Sequence, residues 1–446
     1  MDTQELQNME LKQRLSHKQL DELGLILSLI DKYNACTDPE ERNQLVRMIA
    51  VRHVITKGYL TGVLRGMLFE KDIEYIEMIN DRIWVILKPI YYGLTELALN
   101  HLEDWFISMQ RRKGVVNPAL YDYQKDLIRW LLRAIICHEK PETIYTLLVS
   151  RSSGKTYSLA LVGFFLMLFH DRYIIHNNFG DYVEICSSPA RDNLRSFIKY
   201  YLELCDMCST KDDAIGLLGR TEKEDNELGL YIKYKSQDKI EIMRNSGGSF
   251  SMVFFALGNI GCEGLHCALH LADEGKFYEK KTLEVSLIPT VGNRVGVFCM
   301  LSSASEDYCY MQDRIEQNIV EDMIEVEEKG EKVSYVTWDG RPYDRNQIDN
   351  IKIFKGKTHY QAHYSTMIME NRGYALAVAR ALSGSGEEDP SFQTQYHNKF
   401  LSRKSSSFFD IKILRKNYKN MFEDENIDKY LDNPDYVIIA GWDKTI

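Results

Sequence analysis

The sequence predicts an α/β fold: a mostly parallel sheet flanked by helices, with an N-terminal helical extension and a small lid-like subdomain. Three observations predict it. Short apolar runs of β-forming residues alternate with helical stretches from about residue 118 onward. The residues before that hold long runs without Pro or Gly, with apolar side chains three and four apart. Between 145 and 169, a strand pattern, a Gly-Lys-Thr turn and an apolar helix pattern follow one another.

Taken in order, Leu20, Leu23, Leu27 and Ile30 mark one helical face. Asp38-Pro39-Glu40-Glu41 marks a helix start, with a capping Asp, Pro at the first helical position and acids in the first turn. Strands are expected at Tyr145–Val149, Tyr182–Cys186, Ile240–Met243, Met252–Leu257, Ala268–Ala272 and Val295–Leu301. Strands separated by helices argue for a doubly wound sheet. Thr210–Gly248 is charged and Gly-rich, and Leu230-Tyr231-Ile232-Lys233-Tyr234 alternates, which suggests an inserted hairpin or loop on the sheet edge. Glu321–Glu331 reads as a solvated acidic helix, and Ser383–Pro390 as a flexible joint with a turn signal. Tyr436–Asp443 reads as a fresh strand ending at a carboxylate, three residues before the last one. The expected divisions are a helical extension (1–117), an α/β core (118–310), a remainder with the lid and linker (311–432) and the start of a truncated further domain (433–446).

Composition narrows the function. Of 446 residues, 44% are hydrophobic and 27% charged, which is globular and not disordered composition. A generic polyanion binder is usually basic, whereas the formal net charge is -10, so any nucleic-acid contact must come from local patches or from assembly. Nine cysteines without a disulfide-like framework, and no secretory signal, fit a reducing cytoplasm. The apolar run Leu159–Phe169 is about half a membrane span, and reads as a buried helix.

The segment Ser150-Arg151-Ser152-Ser153-Gly154-Lys155-Thr156 carries the chemistry. Backbone N–H groups at a helix start point at an anion, and the helix dipole favours negative charge there. Lys155 can reach the β- and γ-phosphates of ATP, and the Thr156 hydroxyl can ligate Mg2+. Val149 stands where the first glycine of the phosphate-loop pattern is expected, and Gly-Lys-Thr alone occurs often by chance. Ala268-Leu269-His270-Leu271-Ala272-Asp273-Glu274 supplies the acidic site required on a neighbouring strand: Asp273 for the magnesium shell, Glu274 to orient and polarise the attacking water. His270 reads as a satisfied core histidine. In Leu120-Tyr121-Asp122-Tyr123-Gln124, the Gln124 amide can pair with adenine and a tyrosine, Tyr121 or Tyr123, can stack on it, although a Tyr at a helix start is more often packing. A RecA-like P-loop ATPase core is therefore expected.

With these sites in order, the chain resembles the ATPase region of the large terminase subunit of tailed bacteriophages over roughly 118–402. Arg151 lies within the phosphate loop, as that family's arginine does. Gly261-Cys262-Glu263-Gly264-Leu265-His266 leads into Asp273-Glu274. Leu301-Ser302-Ser303-Ala304-Ser305 follows a strand like the family's coupling motif, and Asp389–Tyr396 resembles the helix closing the region. The resemblance implies an ATP-driven motor that moves double-stranded DNA into a procapsid. It implies Arg151 as a catalytic group that senses or stabilises the γ-phosphate, and Ser302 and Ser303 as reporters of nucleotide state. It further implies partners: portal protein, small terminase subunit, a homo-oligomeric ring, and no membrane. The expected location is the host cytoplasm, transiently on the viral procapsid. A trans-acting arginine is implied, with Arg191, Arg195, Arg220 and Arg294 as candidates. Gly441-Trp442-Asp443 looks like the first strand of the family's nuclease domain, where the Asp is a metal ligand; with the rest of that domain absent, cleavage is not expected.

Other features weigh less. Cys205 and Cys208 lack a second pair, and structural zinc needs four ligands. Lys352, Lys355 and Lys357, and Lys412, Arg415, Lys416 and Lys419, form basic stretches that either touch DNA or face solvent. Two alternatives stand beside the motor: a helicase or restriction-type translocase, which would need a second RecA-like domain, and a scaffold that binds nucleotide without turnover.

Overall fold

The computed structural model describes residues 14–60, 62–138, 144–176, 181–209, 216–222, 226–256, 265–292, 296–329, 335–337 and 351–401. Gly261–Gly264, Arg294, the basic stretch 412–419 and Tyr436–Asp443 lie outside them, Asp443 included.

One sheet holds the strands β1 (Ile144–Val149), β2 (Tyr182–Ser188), β3 (Leu218–Gly219), β4 (Leu230–Lys235), β5 (Lys239–Arg244), β6 (Ser249–Ala256), β7 (Leu269–Ala272), β8 (Val297–Ser302), β9 (Tyr335–Thr337), β10 (Ile351–Lys355) and β11 (His359–Ala362). Their order is β3-β4-β5-β6-β2-β7-β8-β1-β11-β10-β9. The block from β6 to β11 is parallel throughout. Antiparallel pairs extend it on both sides, the two-residue β3 then adding parallel to β4, and the predicted edge hairpin is β4–β5, laid against β6.

The strand period explains the two cores. On β1, Tyr145, Leu147 and Val149 enter one buried cluster while Ile144 and Leu148 enter the other. On β8, Val297, Cys299 and Leu301 face the first and Phe298 and Met300 the second. A sheet apolar on both faces must be covered on both, which makes the fold a layered α/β structure.

The first face is covered by α5 (Asp122–Cys137), α6 (Lys155–Tyr173) and α7 (Arg191–Cys208). Against these helices packs α4 (Glu70–Arg112), and against α4 pack α1 (His17–Ala35) and α2 (Pro39–Tyr59), with the short α3 (Gly62–Met67) between α2 and α4. The N-terminal helices share this single cluster with the sheet. Asp38 caps α2 as predicted, its carboxylate accepting from the Glu41 N–H at 2.8 Å. The buried face of α1 is Leu23, Ile26, Leu29 and Ile30, whereas Leu20 is exposed, so the helix is turned from the predicted stripe. Cys205 and Cys208 are buried on α7, where burial pushes the Cys205 thiol up to about 12.

α6 is buried along its length, and none of the described helices is long and apolar enough to cross a membrane. Its tightest point is Gly163. A Cβ there would lie 1.9 Å from the Tyr201 hydroxyl oxygen and 2.9 Å from Glu184 Oε2. The Tyr201 hydroxyl donates to that carboxyl at 3.2 Å, and complete burial pushes Glu184 well above the usual carboxylate range. Ala at a helix-interior Gly normally stabilises by about 1 kcal/mol. Here overpacking of about 1–3 kcal/mol and loss of the buried hydrogen bond outweigh that gain. Gly163→Ala is therefore expected to lower the denaturant midpoint; an unchanged or higher midpoint contradicts this packing.

The second face carries α8 (Tyr310–Lys329). The Asn318 amide donates to Ile144 O at 2.8 Å, Thr146 Oγ1 at 2.9 Å and Thr358 O at 3.1 Å, which joins α8 to β1 and the turn before β11. The acidic stretch expected to be solvated includes Asp322, which is fully buried and accepts from the Thr358 N–H at 3.0 Å and hydroxyl at 2.9 Å. One face of that helix is thus satisfied by the backbone of the β10–β11 turn. The joint at 383–390 also differs from expectation. α9 (Arg372–Ser385) runs through Gly384, and Asp389 then caps α10 (Pro390–Gln395), accepting from the Phe392 N–H at 3.2 Å.

Candidate nucleotide site

The site lies where β1, β7 and β8 end, at the carboxyl edge of the parallel block, the usual ligand edge of such sheets. β1 ends at Val149, which is buried within the strand and pairs with Ala362. The glycine missing from the pattern thus falls on a residue that needs no special backbone. Ser150 is tied down by its N–H and hydroxyl, which donate to Ala362 O at 3.4 and 3.2 Å. Ser152 and Gly154 then take left-handed φ values of 63° and 82°. Such a loop turns successive N–H groups inward, and it opens directly onto the first turn of α6. The Ser153 hydroxyl is buried without a hydrogen-bond partner among the described residues, an orphan that an anionic ligand would satisfy. Thr156 is half-buried at the second residue of α6.

Lys155 is buried, and burial lowers its pKa, opposed by the charges of Glu274 and Asp273. Asp273 follows β7 and is also buried; burial and the charge of Glu274 push its carboxyl up to about 7, with Lys155 opposing. Its N–H donates to Ser187 O at 2.9 Å, and its Oδ1 accepts from the Glu274 N–H at 2.9 Å. Glu274 is left-handed (φ 54°), an uncommon state for a residue with a side chain, and such states recur at functional sites.

The acidic pair was expected on a strand beside β1. Instead β8 stands between β1 and β7. The reason is visible in the register: Ser302 pairs with Leu148 while Ala272 pairs with Met300, so the end of β8 projects between phosphate loop and acids. The Ser302 hydroxyl consequently donates to Glu274 Oε2 at 3.4 Å. Ser303 is buried beside it.

Gln124 also converges on the loop. Its Oε1 accepts from the Tyr121 N–H at 3.1 Å, and its Nε2 lies 3.2 Å from where a Cβ on Gly154 would sit. Tyr121 is 40% exposed and stacks on Tyr123 at 5.5 Å and 8°, so Tyr121 presents the open ring. Tyr123 is packing: it is buried, and its hydroxyl accepts from Asn371 Nδ2 at 3.1 Å. Arg151 is exposed and held from outside, donating from its N–H to Gln395 O at 2.7 Å and from Nη1 to Gln395 Oε1 at 2.6 Å.

His270 is the satisfied core histidine expected from the sequence. Thr290 Oγ1 donates to Leu287 O at 2.6 Å, so it accepts from His270 Nδ1–H at 2.9 Å. Nε2 then accepts from the Ser187 hydroxyl at 2.8 Å, and Tyr278 donates to Ser187 at 2.9 Å. Burial lowers the histidine pKa to about 3, so it is neutral. Lys276 was not singled out from the sequence. Its Nζ donates to Ser303 Oγ at 3.2 Å and Ala304 O at 3.4 Å, and lies 4.0 Å from Glu274 Oε2. A lysine after an acidic pair is unremarkable in sequence; the Gly275 between them was the available signal for a tight turn.

The residues fit a nucleotide with its metal. Among the described residues no group of three or more His, Cys, Asp or Glu forms a metal cluster. Magnesium on a nucleotide needs only one or two protein oxygens, the rest coming from phosphates and water, and Thr156 and Asp273 would supply them. Bound there, the metal would neutralise phosphate charge. Of the arginines considered for a neighbouring subunit, Arg191 pairs with Asp238 at 2.7 Å and Arg195 with Asp192 at 2.9 Å. Lys355 donates to Asp126 at 2.5 Å, which gives that basic residue a partner within the fold.

No protein-family model matches the chain. No curated protein matches it either. Among solved structures, the large terminase ATPase domain of a Thermus phage, P74-26, aligns at 10% identity and a TM-score of 0.38, over 57% of this chain and 87% of that one. The large terminase of a thermophilic bacteriophage in complex with ADP aligns at 11% and 0.36, over 61% and 52%. Overlap at this level carries no weight for function, which has to come from the site itself.

Proposed function

We propose that this chain is an ATPase of the terminase type, a motor that binds ATP with Mg2+ at the ends of β1, β7 and β8 and couples its hydrolysis to movement of double-stranded DNA. One observation carries the ATPase reading: Lys155, Asp273, Glu274 and Ser302 converge on a single sheet edge, two of them buried ionisable groups of opposite charge around an open anion loop. Lys155 and the loop N–H groups hold phosphates, and Thr156 and Asp273 hold the metal. Glu274 takes a proton from the attacking water, and Tyr121 with Gln124 receives the base. The DNA-motor part rests on the ordered motif set, from Arg151 through Ser302-Ser303 to the Asp389–Tyr396 closing helix. Portal protein, a small terminase subunit and a ring of identical chains on a procapsid are the partners that reading requires. The two other readings lack a comparable observation.

The test is phosphate release from ATP by the purified chain, with and without double-stranded DNA. Turnover that rises with DNA supports the motor. Nucleotide binding without release, DNA present, leaves a scaffold and sinks the ATPase. Strand separation by the chain would favour a helicase.

A further inference from the structure

The turn after the acidic pair is more constrained than the chemistry of Asp273 and Glu274 demands. Glu274 is left-handed, and Gly275 next to it is pressed against the second core: a Cβ there would lie 2.3 Å from Met300 Cγ and 2.9 Å from Met311 Sδ. Gly275–Phe277 then closes a single 3-10 turn. The path so fixed delivers Lys276 to the end of β8. Its ammonium has three protons. Two go to Ser303 Oγ and Ala304 O, and Glu274 Oε2 stands in ion-pair range at 4.0 Å. The side chain is only 14% exposed, and its Nζ lies 5.2 Å from the Phe277 ring centroid. Glu274 Oε2 is thus bounded by Ser302 on one side and Lys276 on the other.

We propose that Lys276 is a positioning residue: it fixes the Glu274 carboxylate against the end of β8 and ties it to the Ser303–Ala304 segment, so that the two move together. The inference rests on the reading of Glu274 as the group that activates water. It adds a physical link between that group and the segment following β8. That segment is itself bound to residues 391–401, since the Leu401 N–H donates to Ser305 O at 3.4 Å and the Ser391 hydroxyl to Glu306 Oε1 at 3.0 Å. A lysine that merely filled space would leave the glutamate's orientation alone. A positioning lysine controls it, and misplacing a reacting group by about 1 Å costs on the order of a hundredfold in rate.

The test is steady-state ATP turnover by Lys276→Met, which keeps length and removes charge, beside Lys276→Arg and Ser303→Ala. The expected result is a fall in kcat of about ten- to a hundredfold for Lys276→Met. KM for ATP should stay within about twofold and the unfolding temperature near that of the parent; Lys276→Arg should recover most of kcat and Ser303→Ala lose a smaller part of it. Wild-type kcat in Lys276→Met overturns the proposal. So does a common fall in kcat, ATP affinity and unfolding temperature that arginine does not rescue, which is the mark of a structural role. If Lys276→Met fails to fold, Ser303→Ala decides alone by the same kcat criterion. Lys155→Ala separates the two levels: if it keeps turnover, the assignment of the site around Lys155 and Glu274 falls and the proposal with it. If it abolishes turnover while Lys276→Met does not lower kcat, only the role of Lys276 falls.

Discussion

Lys155→Ala is expected to lower ATP turnover by about a thousandfold and to weaken nucleotide binding as well. The lysine is buried at the mouth of the phosphate loop, and burial disfavours its charge. What keeps an ammonium there is the pair of carboxylates across the site. An incoming triphosphate presents more negative charge at the same place, so the cation's interactions strengthen when nucleotide binds and strengthen again as charge develops in the transition state. Alanine removes that term and also a group that opposes the upward shift of Asp273. Without that cation the Asp273 carboxyl is pushed further in the same upward direction. Phosphate release and nucleotide titration measure the two effects; turnover near wild type in this variant would remove the phosphate-loop assignment.

Glu274→Gln should separate binding from chemistry. Glutamine keeps the length of the side chain and can still accept from Ser302, but it cannot take up the proton of an attacking water. Loss of a general base lowers rates by about 10²–10⁴-fold. Nucleotide affinity should change by no more than a few-fold, because Glu274 adds negative charge to the site and is not expected to hold phosphates. The variant should therefore bind ATP and release it largely unhydrolysed, seen as a slow single-turnover phase after mixing. A variant that turns over near the parent rate would assign water activation to another group.

Much of this was legible in the sequence, for identifiable reasons. Parallel strands buried on both faces are short apolar runs, so β1, β2, β7 and β8 stood out within one to two residues at most ends. The strand–loop–helix at 144–173 was legible because its pattern is local: an apolar strand, a loop ending at a left-handed Gly154, and an apolar helix. What stayed hidden is what depends on neighbours in space. The position of β8 between β1 and β7 is set by crossover connections, which leave no local pattern, and so the contact of Ser302 with Glu274 was not foreseen. Asp322 looked solvated because its run is acidic, whereas its partner, Thr358, lies 36 residues on. Leu20 matched a helical spacing but falls on the open side of α1, since the extra apolar residues Ile26 and Leu29 widen and turn the buried stripe.

The grip of Gln395 on Arg151 has a thermodynamic side. It spans 244 positions in sequence and makes two hydrogen bonds, one to the backbone of the phosphate loop and one to the guanidinium. If the guanidinium leaves Gln395 to meet a phosphate, binding of the nucleotide must give up part of the docking energy of residues 389–400. Linkage makes that bargain symmetric. Whatever clamps residues 389–400 to the body would weaken affinity for ATP by the same factor by which ATP loosens them, and whatever pulls them away would prepare the arginine in advance.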